Sequence, residues 1–442
     1  MKCLTPKYKS KKASAIILAL LIIAALLIYS GAFVSLSINQ NLSADVFKRR
    51  LQALNLAESG LDHALYWLRC QPSAPTYDTT NPWGGVQSVA GGTYSAAIDD
   101  LGPIAGNALV RKYKVTSTGT YGNFTRVLEN YIKVGTFGAY LWWTNTEVFD
   151  GQDVWFWTMD HLNGETHTNT HFNIFGNPVF EDTASSVDPY LYFYNGSSSN
   201  HITSYDVPTH PYYTDYDVPD FQGGTNLGAQ YIDMPENATS LRSAASSGGI
   251  YLQGNSTVAF NSNGTIKVTN KNRSGCKYGC TLSIPANGAL FVNAGTLNLS
   301  GTVNGRLTVG ASYDIIVNGN IVYADDPRVN PASDDSLGII SESDVVINDT
   351  IASSDLEIDA AIMALNKSFM LNNWDSTSIK GTLEIYGGII QKERGPVGTF
   401  YSNGQKASGY SKNYTHDSRF TANPPPFMPN TGDYDTLSWE EK

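Results

Sequence analysis

Five histidines fall between positions 161 and 210: His161, His167, His171, His201 and His210, with Asp160 and Glu165 among the first of them. Neutral imidazoles and carboxylates are good ligands for transition metals. On an extended strand His167 and His171 share a face, but at about 3.3 Å per residue they stand roughly 13 Å apart. That is too far for one ion unless a turn intervenes, and a polar strand surface is the plainer reading. Asp325-Asp326 and Asp334-Asp335 flank a Pro-containing loop. They suit a Ca²⁺ site built from oxygens, a paired acid and base acting on a glycosidic bond, or a solvated turn. Cys276 and Cys280 sit in Cys-Lys-Tyr-Gly-Cys, where Gly279 permits a tight turn. In an oxidising compartment they would form a local disulfide; otherwise they are two free thiols. As a zinc site they lack two ligands. Tyr140, Trp142, Trp143, Phe149, Trp155, Phe156 and Trp157 form an aromatic band. It either staples two parts of the fold together or offers a platform on which a glycan stacks. GxSxG, HExxH and a glycine-rich phosphate loop are absent. No catalytic or metal residue is assigned, no cofactor is expected, and the expectation is that the chain is not an enzyme.

The elements that must carry these residues begin with a long helix. Lys2, Lys7, Lys9, Lys11 and Lys12 precede an uncharged apolar run from Ala13 to Leu36, which includes Ile16, Leu20, Ile23, Leu27 and Phe33. About twenty apolar residues suffice to cross a bilayer. Lysine is absent between Ala13 and Lys48, so the charge bias puts the N-terminus in the cytoplasm and the rest outside. The run continues without proline to Arg69. As one helix it would be on the order of 85 Å long. A secretory signal has a shorter apolar core and a small-residue cleavage site. The second half keeps apolar residues at helical spacing: Phe47, Leu51, Leu54, Ala57, Leu61, Ala64, Leu65 and Leu68, with Glu58 and Gly60 among them. Such a stripe packs on something; the plainest form is a single-pass anchor with a helical neck.

Residues 13–27 (ASAIILALLIIAALL), then Gln52-Ala-Leu-Asn-Leu-Ala-Glu-Ser-Gly-Leu61 and Ala64-Leu-Tyr-Trp-Leu68, resemble the N-terminal segment of PilX-type minor pilins and of related type IV pilus and type II secretion components. The resemblance covers roughly residues 10–70. In two respects the chain departs from the pattern. Ala13 or Ser14 stands where a glycine usually precedes the cleavage point, and no glutamate follows five residues later. The resemblance implies a minor, tip or scaffold subunit of a pilus or pseudopilus in the bacterial cytoplasmic membrane. Its partners would be other pilin-like subunits, the assembly machinery and the membrane. Leu51, Leu54, Ala57, Glu58, Gly60, Leu61, Leu65 and Leu68 would be the packing positions.

Composition agrees with an exterior body. Charged residues make up 16% and the net charge is −11. Because the N-terminal lysines pull the other way, the remainder is more acidic still. No basic patch follows Arg69, which excludes nucleic acid as an expected partner. Cys3 would face the cytoplasm. Asn-x-Ser/Thr triplets at Asn123, Asn195, Asn237, Asn255, Asn263, Asn298 and Asn413 mean glycosylation only in a host with that machinery.

The body reads as mainly β. Residues 93–98, 112–117 and 126–134 alternate in polarity and predict a half-buried antiparallel meander, which by analogy with pilin-like heads packs on the second half of the helix. From about Phe137 short apolar strands end at Gly or Asn corners: 289–292, 305–309, 314–318, 338–341, 344–348, 360–365 and 381–390. One such strand cannot bury its face alone, whereas stacked coils can. The expected fold is one long N-terminal helix, a small antiparallel sheet, and a parallel β-helix-like domain, with a β-sandwich as the alternative. The expected divisions are a basic leader 1–12, helix 13–69, meander 70–136, β-helix-like domain 137–400 and C-terminal tail 401–442. Gly301-Thr-Val-Asn-Gly-Arg-Leu-Thr-Val and Gly319-Asn-Ile-Val-Tyr-Ala-Asp-Asp-Pro also look similar to uncharacterised envelope domains found behind pilin-like helices. The functional expectation is a membrane-anchored, minor-pilin-like structural protein. A permanently anchored adhesin or glycan-binding module is the first rival, and a β-helix carbohydrate-active enzyme the second.

Overall fold

The computed structural model describes residues 12–71, 74–104, 107–194, 199–202, 217–351, 355–401 and 405–442. Four of the leader lysines, Cys3, His210 and Asn195 lie outside them. Helix α1 runs unbroken over Lys12–Arg69, about 87 Å at 1.5 Å per residue. No proline interrupts it, and an i,i+4 ion pair between Asp45 and Arg49 (2.8 Å) spans the turn where the apolar run gives way to charge.

Three long antiparallel strands follow, β1 (Gly92–Ile104), β2 (Asn107–Tyr121) and β3 (Phe124–Thr136), in the expected meander. Their inward residues Ala96, Ile98, Tyr113, Val115, Leu128, Ile132 and Val134 close over Ala57, Leu61, Ala64 and Leu68 of α1. This is the period-2 face of a sheet meeting the apolar stripe of a helix.

The second unit is built from parallel-paired coils. Its first strands are β4 (Trp142–Thr146), β5 (Thr166–Thr168), β6 (Ala184–Ser186) and β7 (Thr225–Leu227). Helix α2 (Thr239–Ser246) comes next. Then follow β8 (Ile250–Gln253), β9 (Ala289–Asn293), β10 (Arg306–Ala311), β11 (Ser336–Ser341), β12 (Leu356–Ala364) and β13 (Ile379–Glu393). All pair in parallel, in the spatial order β8-β9-β10-β11-β12-β13-β4-β5-β6-β7. The chain therefore enters the wall in its middle and builds outward to β7. It then crosses to the far end at β8 and builds back until β13 lies against β4.

Register makes the wall two-sided. Leu290, Val309, Ile339, Ile362, Ile389 and Trp142 stack in line and face the interior. Their neighbours Phe291, Ile340, Met363, Ile390 and Trp143 form a second apolar layer on the other side. Leu241 and Ala245 of α2 cover that layer, with Phe137, Phe420 and Met428. Gly310 makes room, since a Cβ there would stand 2.7 Å from Leu241.

One expectation is corrected. Residues 401–442 are not a tail. Strand β14 (Lys406–His416) pairs in parallel with β13, and β15 (Asn430–Glu441) pairs antiparallel with β3. The order of the small sheet is β1-β2-β3-β15, with short strands at 79–80 and 87–89 on β1. The otherwise open edge of β3 supplies the reason: an unpaired edge of that length exposes a row of backbone donors and acceptors, and β15 covers it. The coiled unit is thus inserted between two neighbouring strands of the small sheet.

Candidate membrane-anchor and assembly surface

The N-terminal part of α1 touches nothing in the body. Ile16, Leu20, Ile23, Leu27 and Phe33 are 63, 60, 52, 68 and 67% exposed. The most apolar stretch of the helix has a mean hydropathy of 2.7 and none of it is buried, so by length and composition the helix can cross a membrane. The next turns remain bare as well: Ile38, Leu42, Val46 and Phe47 keep their apolar side chains exposed.

The first buried residue of α1 is Ala53. The buried face of α1 is Ala53, Leu56, Ala57, Gly60, Leu61, Ala64 and Leu68. Of the positions expected to pack, Ala57, Gly60, Leu61 and Leu68 are buried, and Leu54 and Leu65 are partly so. Leu51 (45% exposed) and Glu58 point outward. The shift arises because small residues allow the backbones to approach. A Cβ on Gly119 of β2 would lie 2.2 Å from the Ala53 carbonyl oxygen and 2.3 Å from the Ala57 nitrogen. A Cβ on Gly60 would lie 2.1 Å from Ser117 Oγ. The glycine in the Ala57-Glu-Ser-Gly-Leu61 signature is therefore a contact point between helix and sheet. Ala64 lies in the expected apolar stripe, whereas Ala53 and Leu56 were not among the positions expected for this face. The signal of Ala53, a small residue in step with Gly60, is weaker than a leucine stripe.

The end of the helix is locked. Arg69 pairs with Asp433 (2.7 Å), and the Tyr434 hydroxyl donates to the Leu68 carbonyl (3.5 Å). Both partners lie within β15. His63 Nδ1 is 2.9 Å from the Tyr94 hydroxyl, and its ring stacks on Trp83 at 3.9 Å. Arg50 lies over the Phe124 ring (5.8 Å) at the β2–β3 turn.

The other chemical candidates are dispersed. Among the described residues no group of three or more His, Cys, Asp or Glu could hold a metal ion. His167 continues the outer layer after Trp143, stacked on that ring, with Ser185 at 3.1 Å and Asn169 at 3.0 Å from its nitrogens. Burial pulls its imidazole below the ordinary value, against the Asn169 hydrogen bond. His161 pairs with Glu181 (2.6 Å) and His171 with Asp188 (2.9 Å). In the aspartate loop, Asp335 accepts from the backbone nitrogens of Gly305 (2.5 Å) and Asp325 (2.8 Å), and Asp325 accepts from Asn330 (2.7 Å). Arg328 bridges Asp326 (2.8 Å) and Glu357 (2.7 Å). Although burial opposes it, the Arg328 hydrogen bond holds the Asp326 carboxyl below its usual range. These acids cap and brace a turn. Cys276 and Cys280 are joined in a disulfide.

At the seam where β13 meets β4, Arg394 is buried and reaches Glu147 (3.0 Å) and Asp160 (3.7 Å), and Lys412 reaches Asp160 (2.7 Å). The Arg394 guanidinium lies 3.6 Å from the Phe156 ring centre. Two cations and two anions thus neutralise one another inside the join. The aromatic band divides here. Trp142, Trp143 and Phe156 are core, while Phe149, Trp155 and Trp157 border a cavity.

Comparisons with known proteins add three facts. Residues 109–188 match a family described as Domain of unknown function (DUF4900); the match runs from β2 through β6 and so bridges the two units. No curated protein matches the chain. Among solved structures, the chain is similar to the competence-associated pilin ComZ from Thermus thermophilus, at 11% identity and a TM-score of 0.32, covering 89% of this chain and 97% of that one.

Proposed function

We propose that the protein is a membrane-anchored, minor-pilin-like structural subunit that displays a large coiled β body outside the bacterial cytoplasmic membrane and joins a pilus or pseudopilus through α1. The observation that carries this reading is the division of α1. Its last turns are core of the small sheet, and from Ile16 to Phe47 its large apolar side chains are left exposed. An apolar helix of this kind needs lipid or other helices around it. The bare turns at Ile38, Leu42, Val46 and Phe47 lie beyond the length that a bilayer core requires, which favours neighbouring helices over lipid alone. Assembly is the function, and no catalytic role is assigned to any residue.

The test is the mass of the mature N-terminus in the membrane and sheared-surface fractions of the native host. Loss of about a dozen residues, with a new start near Ala13–Ala15 in the sheared fraction, is the expected result. An intact N-terminus confined to membranes overturns the fibre reading and favours an anchored adhesin.

A further inference from the structure

A cavity of about 400 Å³ opens at the seam between the two arms of the coiled unit. That volume lies within the range of small-molecule sites, roughly 300–1,000 Å³. Its walls are aromatic: Phe149, Trp155, Trp157, Tyr194, Trp374 and Phe400. Trp157 and Phe400 stack in parallel at 5.0 Å, Trp155 stands edge-on to Tyr194 at 5.2 Å, and Phe149 edge-on to Trp374 at 6.0 Å. Five of the six, all but Trp157, are only half-buried. Aromatic surface left open to water in this way is uncommon unless something covers it.

The polar groups limit what that can be. Arg394, Lys406 and Lys412 line the cavity, but each is already engaged. Arg394 holds Glu147 and the carbonyls of Val154 (3.2 Å) and Trp155 (3.0 Å). Lys412 holds Asp160. Lys406 donates to the carbonyls of Lys380 (2.7 Å) and Gly381 (3.2 Å) and lies 3.0 Å from Ser411 Oγ. An anion would find no uncommitted cation among these lining residues. A cation would meet Lys406, whose ammonium is held in the wall by backbone carbonyls. Hydrogen-bonding capacity does remain. Asp150, Gln152 and Asp153 are exposed at the mouth. Tyr410 lines the cavity, is 3% exposed, and its hydroxyl has no hydrogen-bond partner. A buried hydroxyl without a partner is costly, and a ligand hydroxyl would satisfy it once the ring turns its oxygen, now closed to solvent, toward the cavity.

We propose that this cavity binds a neutral saccharide, with the C–H face of a sugar ring laid on an aromatic wall and its hydroxyls bonded by Tyr410 and the Asp150–Asp153 rim. The C–H groups of a pyranose carry partial positive charge and meet the negative face of an aromatic ring. A neutral, hydroxyl-rich ligand with apolar faces is the class that uses both the aromatic walls and the hydrogen-bonding rim.

The experiment follows tryptophan fluorescence of the full chain, held in a detergent without a sugar headgroup, during titration with cellohexaose, xylohexaose, mannohexaose and chitohexaose. Saturable quenching by at least one of them is expected. Trp155→Ala should weaken it tenfold or more, and Tyr410→Phe about fivefold, the loss of one neutral hydrogen bond. Trp439→Ala, on β15, should leave affinity unchanged. If Trp155→Ala does not fold, Tyr410→Phe and Trp374→Ala carry the comparison. No saturation by any of the four up to about 10 mM, ten times a millimolar dissociation constant, overturns the proposal. So does quenching that survives both cavity substitutions. Saturation by phenylalanine amide or tetramethylammonium in place of the saccharides overturns it equally.

Discussion

Gly119 and Asp359 are single residues whose surroundings fix their behaviour. Gly119 brings β2 within backbone contact of α1, so Gly119→Ala drives a methyl into the Ala53 carbonyl. The expected loss is about 1–3 kcal/mol, typical of overpacking, read as a shift in denaturation midpoint. Gly60→Ala should cost less, because its closest neighbour is a serine hydroxyl rather than backbone. Asp359 is buried beneath Arg328 (3.5 Å) and accepts from the Tyr323 nitrogen (3.0 Å), with its second oxygen unpartnered. Burial raises its carboxyl to about 7. The folded state therefore holds this proton more tightly than the unfolded chain, whose aspartates titrate near 3.9. The stability that results is full below the unfolded value and is lost as pH rises to about 7. Urea midpoints compared at about pH 5 and about pH 7.5 should fall more for the native chain than for Asp359→Asn. Parallel curves would rule this out.

At the scale of elements, α1 separates stability from assembly. Phe47 and Leu51 are 69 and 45% exposed. Phe47→Glu and Leu51→Glu should each leave the denaturation midpoint within about 0.5 kcal/mol of the native value and still abolish incorporation into surface fibres, scored by immunoblot of sheared fractions. A variant that assembles normally removes these positions from the interface. The elements were also where the sequence was most readable. Alternation marked β1, β2 and β3, and the apolar run and its stripe marked α1, because both patterns repeat within a few residues. Ala53 was less visible, since alanine signals closeness through its size and not through hydrophobicity. The aromatic band was visible as a cluster, but its division into core and cavity wall depended on Phe400, Trp374 and Tyr410, which join it from the other end of the chain.

Over the whole molecule, the pairing that matters most is the least local. β4 meets β13 through Trp142–Ile389 and Trp143–Ile390, and neither strand carries a mark naming the other. The aligned core positions 290, 309, 339, 362 and 389 are unequally spaced, so no fixed repeat could reveal the register. The same holds for β15, whose return to β3 closes the small sheet. The buried cluster at the seam gives this closure a measurable signature. Arg394→Ala leaves Glu147 uncompensated in the interior and should cost about 3–5 kcal/mol. Arg394→Met combined with Glu147→Gln should recover part of that loss. An Arg394→Ala variant with native stability would show that the seam is held by its apolar contacts alone.

The insertion of the coiled unit between β3 and β15 bears on how such a molecule can change over time. Seen from the helix and its four-strand cradle, everything from Phe137 to Pro429 is one excursion that departs and returns at adjoining strands. The entropy of closing a loop grows only logarithmically with its length. Coils could therefore be gained or lost in the cargo while the cradle keeps its geometry, and a lineage of such chains could retain one stem while altering what it carries.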